Sequence, residues 1–361
     1  MGKSVEFLYL QQEDCIKAGG LDMKGTMKAV ERSFYLHGKN DFIQPGKPVI
    51  RWGGPESEEV TGRIMSMPSF IGGTQYEDEL KSGDMIGPVN TSGIKFIPSR
   101  PHNPSKYGLP RANAVITIVD PDTLMPACIM DGTVVSAMRT GAASGVAVKY
   151  LANPKVKEMG LVGASVQGIT QAMAFKEGAP SLEVCKVFDI NEEMSKKFVN
   201  DMKNKYKVDM EYVIVDSAEK AFRGSDVIST ATMAKEPYVD GSWYKEGAVH
   251  CEISFWDTPP EALKVMDFIV VDDWYQVKHH GVDVSWRAVR DGIIDESKIR
   301  GNLGQIIIGE KAGRQDKKEK IFFNPIGMGI HDLSEAHRVF QNAVQMGIGQ
   351  KLKLWDQPAF C

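Results

Sequence analysis

Gly160-Leu161-Val162-Gly163-Ala164-Ser165-Val166-Gln167-Gly168 is the stretch on which the fold turns. A short apolar run stops at Gly163, a second glycine follows at Gly168, and an amphipathic segment, 169–176, comes next. The pattern predicts a strand, a tight turn and the start of a helix. A helix N-terminus presents free backbone N–H groups and a partial positive charge, so it holds phosphates. Asp189 ends the run Val184-Cys185-Lys186-Val187-Phe188. An acidic residue at the end of the second strand is where a dinucleotide fold hydrogen-bonds the adenosine ribose. Together these residues predict a nicotinamide dinucleotide site built from Gly163, Ser165, Val166, Gln167, Gly168 and Asp189. The middle glycine of the usual fingerprint is Ser165 here, whose hydroxyl can donate to a phosphate oxygen. A carboxylate at 189 repels a 2′-phosphate, which favours NAD over NADP. A bare strand–turn–helix fits the same pattern, as does a methyltransferase, which also uses a glycine turn and an acidic residue after the second strand.

The chain has 361 residues, enough for two domains with a core each. Apolar content of 42% and charged content of 25% describe an ordinary globular protein. The net charge of −4 comes without a long basic block, which argues against nucleic acid or an anionic membrane as partner. No apolar run approaches a membrane span. The start Met1-Gly2-Lys3-Ser4-Val5-Glu6 lacks the basic and apolar segments of a signal peptide, so a cytoplasmic location is expected. Cys15, Cys128, Cys185, Cys251 and Cys361 are scattered and form no CxxC, which predicts buried thiols in a reducing compartment. The seven histidines form no HExxH, and no metal site is expected.

Outward from the opening stretch, strand and helix signals alternate as in a parallel α/β sheet. Strands are expected over 159–162, 184–188, 211–215, 227–231, 248–253 and 268–271. Helices are expected over 169–176, 192–206, 217–222 and 260–265. Upstream, residues 1 to about 135 read as a mixed α+β region. It holds a helix over 22–38 with Asp22 as N-cap and a meandering antiparallel sheet punctuated by glycine and proline. A small-residue helix over 138–151, stopped by Asn153-Pro154, links the regions. A charged loop is expected over 311–320 and a last helix over 333–347. The predicted fold class is α/β: a Rossmann-type dinucleotide-binding domain, 138–324, and a mixed α+β substrate-binding and dimerisation domain, 1–137 with 325–361.

Arg139-Thr140-Gly141-Ala142-Ala143-Ser144, followed by the Gly163–Gly168 turn, closely resembles the R-T-x-A-A-S helix and dinucleotide turn of the ornithine cyclodeaminase/mu-crystallin family. Other pieces follow in order. Met67-Pro68, then Lys95 with Pro101 and Asn103, are similar to the family's M-P and its lysine with P-x-N. Asp120 to Pro126 with Asp131-Gly132 resembles its hairpin, with Leu124 in place of a glycine. Ser225 to Thr232, Gly309 to Arg314, Ile326-Gly327 and Asp332-Leu333 are similar to its later motifs. The resemblance covers nearly the whole chain.

The resemblance implies an NAD-dependent enzyme and a homodimer formed through the non-Rossmann domain. It implies hydride transfer at the α-carbon of an amino acid. Cyclodeaminases return the hydride after ring closure and loss of ammonia, whereas other members stop halfway, as amino-acid dehydrogenases or imine reductases. A second reading is a non-catalytic NAD(P)H-dependent small-molecule binding protein of the mu-crystallin type.

By the same resemblance, Arg139 and Lys95 clamp the substrate carboxylate, with Lys47 standing where the cyclodeaminase has an arginine. Thr140 and Thr232 join the cofactor site, and Asp257 is the catalytic carboxylate, although a one-residue gap would put Trp256 there. Read from the residues alone, Arg139 opens a helix, where a cation is mildly unfavourable. Lys95 is the only charge in the strand-like run Gly93-Ile94-Lys95-Phe96-Ile97. It either points outward from an edge strand or faces inward, where burial would lower its pKa. Asp257 fits either a turn or a site beyond a strand end. Met65, Arg111 and Pro325 replace the cyclodeaminase's glutamate, threonine and serine. These changes keep hydride chemistry and weigh against ornithine itself.

Overall fold

The computed structural model describes residues 4–53, 61–82 and 86–360. Cys361 lies outside them; the other four cysteines are buried free thiols. Two compact units are formed, one from Met1–Leu36, Asn40–Arg139 and Met328–Cys361, the other from His37–Lys39 and Thr140–Gly327. Among the described residues no helix is long and apolar enough to cross a membrane, and no cluster of His, Cys, Asp or Glu is placed to hold a metal ion.

The first unit is built on an eight-stranded mixed sheet. Its strands are β1 (Val5–Leu10), β2 (Phe42–Ile43), β3 (Val49–Trp52), β4 (Gly62–Ile71), β5 (Thr91–Ser99), β6 (Val115–Val119), β7 (Pro126–Asp131) and, from the far end of the chain, β16 (Gln350–Trp355). The order is β16-β1-β7-β6-β5-β4-β2, with β3 also on β4. All pairings are antiparallel except β1 with β7. The helix Gly329–Met346 packs across β4, β5 and β6. It also meets the helix Met23–Gly38 through a buried polar seam: Arg32 donates to the Ser334 hydroxyl at 2.9 Å, and Thr26 donates to Glu335 at 3.0 Å.

The second unit is a fully parallel sheet of β8 (Glu158–Val162), β9 (Val184–Phe188), β10 (Glu211–Ile214), β11 (Val227–Thr230), β12 (Val249–Glu252), β13 (Phe268–Val271), β14 (Ile299–Asn302) and β15 (Ile321–Asn324). The order is β10-β9-β8-β11-β12-β15-β13-β14. The first five positions follow a doubly wound dinucleotide fold, and the strand order reverses between β8 and β11. Core strands are buried on both faces, as Val227–Thr230, Val249–Glu252 and Phe268–Val271 are buried throughout. The α/β fold with a Rossmann-type unit and a mixed α+β unit is therefore as expected.

Several elements differ from expectation. The linking helix is Thr133–Leu151, not 138–151. Its β-branched opening, Thr133-Val134-Val135, hides the helix from a propensity reading. Asp131 supplies the cap, accepting from the N–H groups of Thr133 and Val134 at 3.1 and 3.3 Å. Arg139 thus lies in the second turn and does not open the helix, so the unfavourable dipole contact does not arise. The segment Pro260–Val265 is a 3-10 helix. The edge strand β16, its neighbour β1 and the interior β15 had no counterpart in the sequence reading. The small residues of the linking helix do permit close packing: a Cβ on Gly141 would sit 2.5 Å from the Thr170 carbonyl oxygen of the helix Val166–Gly178.

Candidate active site

The first unit holds a buried charge cluster. Lys95 projects from β5 and is 1% exposed, so it faces inward. Its Nζ donates to Asp332 Oδ1 at 2.8 Å and to the Ser136 hydroxyl at 3.2 Å. Arg139, also buried, donates through Nε to the same Asp332 oxygen at 2.9 Å. Asp332 comes from the first turn of the helix Gly329–Met346, where its charge also suits the helix dipole. Burial and the Arg139 charge push the Lys95 ammonium down to about 7; Asp332 opposes the shift, and Lys47 adds to it. Lys95 and Arg139 thus share Asp332 as their counter-charge, with Lys47 close enough to act on Lys95. Asp332 carried no assigned role in the sequence reading. It is 237 residues from Lys95 in the chain, so only a folded structure could pair them.

The second unit places the fingerprint at the β8–β11 reversal. Gly163 has φ +98, which favours glycine, and a Cβ there would meet the Ala231 carbonyl oxygen at 2.8 Å. Gly168 is required by close approach, since its Cβ would fall 2.2 Å from the Gly163 oxygen. Ser165 is the N-cap of the helix Val166–Gly178 with an exposed side chain that makes no cap hydrogen bond. Val166 and Gln167 are the first residues of that helix. Their backbone N–H groups, like the others in the first turn, have no intrahelical acceptor. Asp189 follows β9 and accepts from Ala164 N and Asn191 N, each at 2.9 Å. A carboxylate offers about four acceptor sites, so ribose hydroxyls find room beside these two bonds. Turn, free helix N-terminus and carboxylate together fit a dinucleotide. Thr140 lies in the linking helix, and its carbonyl accepts from Gln171 Nε2 at 3.4 Å.

Thr232, just past β11, and Asp257, past β12, are brought together. Asp257 is fully buried; it accepts from Thr232 N at 3.2 Å and also from the Thr232 hydroxyl. Its carbonyl accepts from Tyr238 N and Val239 N at 3.0 and 3.2 Å. Trp256 instead bonds the Lys235 carbonyl at 3.0 Å and stacks under Arg287. Beneath them lies an acid the sequence reading missed. Burial, reinforced by the Asp257 charge, raises the carboxyl of Glu252 well above the usual range. His250, sealed between Tyr244 at 2.7 Å and Thr230 at 2.9 Å, is pushed down to about 3 by burial.

The profile described as the Ornithine cyclodeaminase/mu-crystallin family matches residues 20–347. The chain belongs to this family. Among curated members it is 33% identical over 350 residues to the N-((2S)-2-amino-2-carboxyethyl)-L-glutamate dehydrogenase of Staphylococcus aureus, covering 97% of this chain and 99% of that protein. Two solved structures of family members superpose closely. The Thermococcus litoralis Delta(1)-pyrroline-2-carboxylate reductase in complex with NADH and L-proline has a TM-score of 0.83 and 32% identity, covering 96% of this chain and 100% of that one. An archaeal alanine dehydrogenase dimer with bound NAD has a TM-score of 0.82 and 29% identity, covering 97% and 100%.

Proposed function

We propose that the protein moves a hydride between the α-carbon of an amino acid, or the corresponding imine, and nicotinamide. It is an NAD-dependent enzyme of the ornithine cyclodeaminase type, in keeping with relatives that are amino-acid dehydrogenases and imine reductases. The observation that carries the reading is the Lys95–Asp332–Arg139 cluster. Two buried cations share the single Asp332 carboxylate, an arrangement that suits a further anion such as a substrate carboxylate. Arg139 can offer it the remaining guanidinium N–H groups, and protonated Lys95 a compact charge.

In the other unit, Gly163 to Gly168 with Asp189 would hold NAD, and Thr140 and Thr232 would line its site. When bound, NAD supplies the hydride acceptor. Hydride leaves the α-carbon only when the amine is neutral, because a protonated nitrogen cannot stabilise the developing positive charge. Asp257 would accept the amino proton, and Arg139 and Lys95 would hold the substrate carboxylate. Thr232 fixes the Asp257 carboxylate through its N–H and hydroxyl, which leaves acceptor sites for the amine.

NAD binds more tightly than NADP in this reading, since Asp189 disfavours a 2′-phosphate, and Asp189→Ser narrows the gap. A homodimer is supported by the dimeric archaeal alanine dehydrogenase, and the family resemblance puts its interface in the first unit. A cytoplasmic location is supported by the buried thiols. The deciding experiment screens amino acids with NAD, and 2-oxo acid/amine pairs with NADH, by nicotinamide absorbance and ammonia release. A net NADH change marks a dehydrogenase or reductase, and ammonia without it marks cyclodeamination. NADH binding with no turnover in any pair would favour the binding-protein reading instead.

A further inference from the structure

The loop that carries Asp257 is braced by side chains that the proposed chemistry does not use. Phe255, Trp256 and Asp257 follow β12. The 3-10 helix Pro260–Val265 comes next and packs against the helix Val284–Arg290, where Leu263 shares an apolar cluster with Val284 and Ala288. Arg287 lies three residues after Val284, at the edge of that buried face. Its guanidinium stacks over the Trp256 indole at 4.1 Å. The indole is itself fixed, since its Nε1 donates to the Lys235 carbonyl at 3.0 Å. Phe255 is met in a similar way by the His280 ring, 5.2 Å away, at the end of the helix Trp274–His280.

Stacking occupies the face of a guanidinium and leaves its N–H edge for hydrogen bonds. Among the described residues, the half-buried Arg287 guanidinium makes no hydrogen bond or ion pair. Two carboxylates act on it at longer range, and each is engaged elsewhere. Asp283 is bonded to His280 Nδ1 at 2.9 Å, and Asp291 accepts from Arg290 Nε and Nη2 at 2.7 and 2.9 Å. Burial and the Arg290 charge hold Arg287 below its usual range, although Asp283 and Asp291 oppose the shift. A guanidinium of fixed plane with an open edge suits a carboxylate, which it binds through two parallel hydrogen bonds. Trp256 and Asp257 are consecutive, with Cα atoms about 3.8 Å apart. The facing segment repeats the pairing, as Thr232 bonds Asp257 and Lys235 bonds Trp256. Arg287 is therefore anchored on the neighbour of the proposed proton acceptor, within the second unit.

We propose that Arg287, held against Trp256, binds a carboxylate at the end of the substrate's side chain, so that the substrate is an acidic amino acid or the imine derived from it. The inference rests on the reading that Asp257 accepts the amino proton. It places amino acids with a terminal carboxylate ahead of neutral ones of the same length.

The test compares kcat/KM of the full chain with NAD for two pairs, L-glutamate against L-glutamine and L-2-aminoadipate against L-norleucine. In at least one pair the acidic member should lead by about tenfold or more, as a charge-assisted hydrogen bond provides. Arg287→Gln should remove most of that lead, mainly through KM of the acidic compound, and Arg287→Lys should keep part of it. Melting temperature and NADH fluorescence report whether each variant is folded and binds cofactor. Neutral members equal to or better than both acidic ones overturn the proposal, as does a lead that Arg287→Gln leaves unchanged. A loss of NADH affinity that lowers both members of a pair equally assigns Arg287 to the cofactor and overturns it too. If no compound exchanges hydride, the proposed chemistry fails separately. Calorimetric binding of L-2-aminoadipate then decides the subsite: weakening by Arg287→Gln supports it, and equal affinity or no binding to wild type overturns it.

Discussion

The two units bury ionisable groups in opposite ways. In the first, Lys95 and Arg139 are both hydrogen-bonded to Asp332, with Lys47 acting on Lys95. In the second, Asp257 and Glu252 are both fully buried, and the groups that act on Glu252 are Asp257 and Thr258, not a cation. The first solves burial by pairing two cations with one carboxylate. The second solves it by donors from Thr232 for one acid and by retaining a proton on the other. In the proposed reaction one cluster holds a charge and the other moves a proton.

The largest effect should come from the acid-rich side. Asp257→Asn keeps the shape and the Thr232 contact and removes the proton acceptor. We expect kcat to fall by about 100- to 10,000-fold with NADH binding intact. Near-normal turnover would take Asp257 out of the mechanism.

The cation-rich side should respond in stability. Asp332→Asn leaves Lys95 and Arg139 buried without their shared counter-charge, which costs about 3–5 kcal/mol for a broken buried pair. A urea titration reads this directly. A midpoint within error of wild type would mean that the two cations are not held by Asp332.

The same cluster should give a pH signature. Lys95 is pushed down to about 7, so it loses its proton through neutral pH instead of above 10. The inhibition constant of propionate, a carboxylate with no amine to titrate nearby, should rise up to about tenfold per pH unit above that point. Lys95→Arg keeps the charge at every accessible pH and should flatten the profile. A wild-type profile already flat to pH 9 would place the substrate carboxylate elsewhere.

The legible parts of the fold are those governed by local rules. The turn at Gly163, strands β9 and β13, and the Asn191- and Ser217-capped helices each follow from a few neighbouring residues. Strands β1 and β16 were not legible because each is stabilised by the other from opposite ends of the chain, and β16 is exposed along nearly its whole length. The true start of the linking helix was hidden by β-branched residues whose helical state depends on the Asp131 cap. At the site, residue types were readable and pairings were not. Nothing local to Lys95 says whether it points inward, nothing near Arg139 names Asp332, and Glu252 looks like any strand-end acid until β12 is buried on both faces.

Glu252 offers the subtlest break, because its charge is absent in the folded state. Its carboxyl is raised by burial, so between the unfolded value near 4.5 and the higher folded value the native protein holds a proton that the unfolded chain has lost. The contribution is fully present below about pH 4.5 and fades as pH climbs toward the folded value, by about 1.4 kcal/mol per pH unit. Gln carries the shape of the protonated acid and does not titrate. Glu252→Gln should therefore match wild type near pH 4.5 and become progressively more stable toward pH 8, as chemical denaturation at a series of pH values would show. If the two stability curves run parallel, Glu252 is ionised in the native protein. The second unit would then bury two negative charges side by side, and the contrast with the first would have to be redrawn.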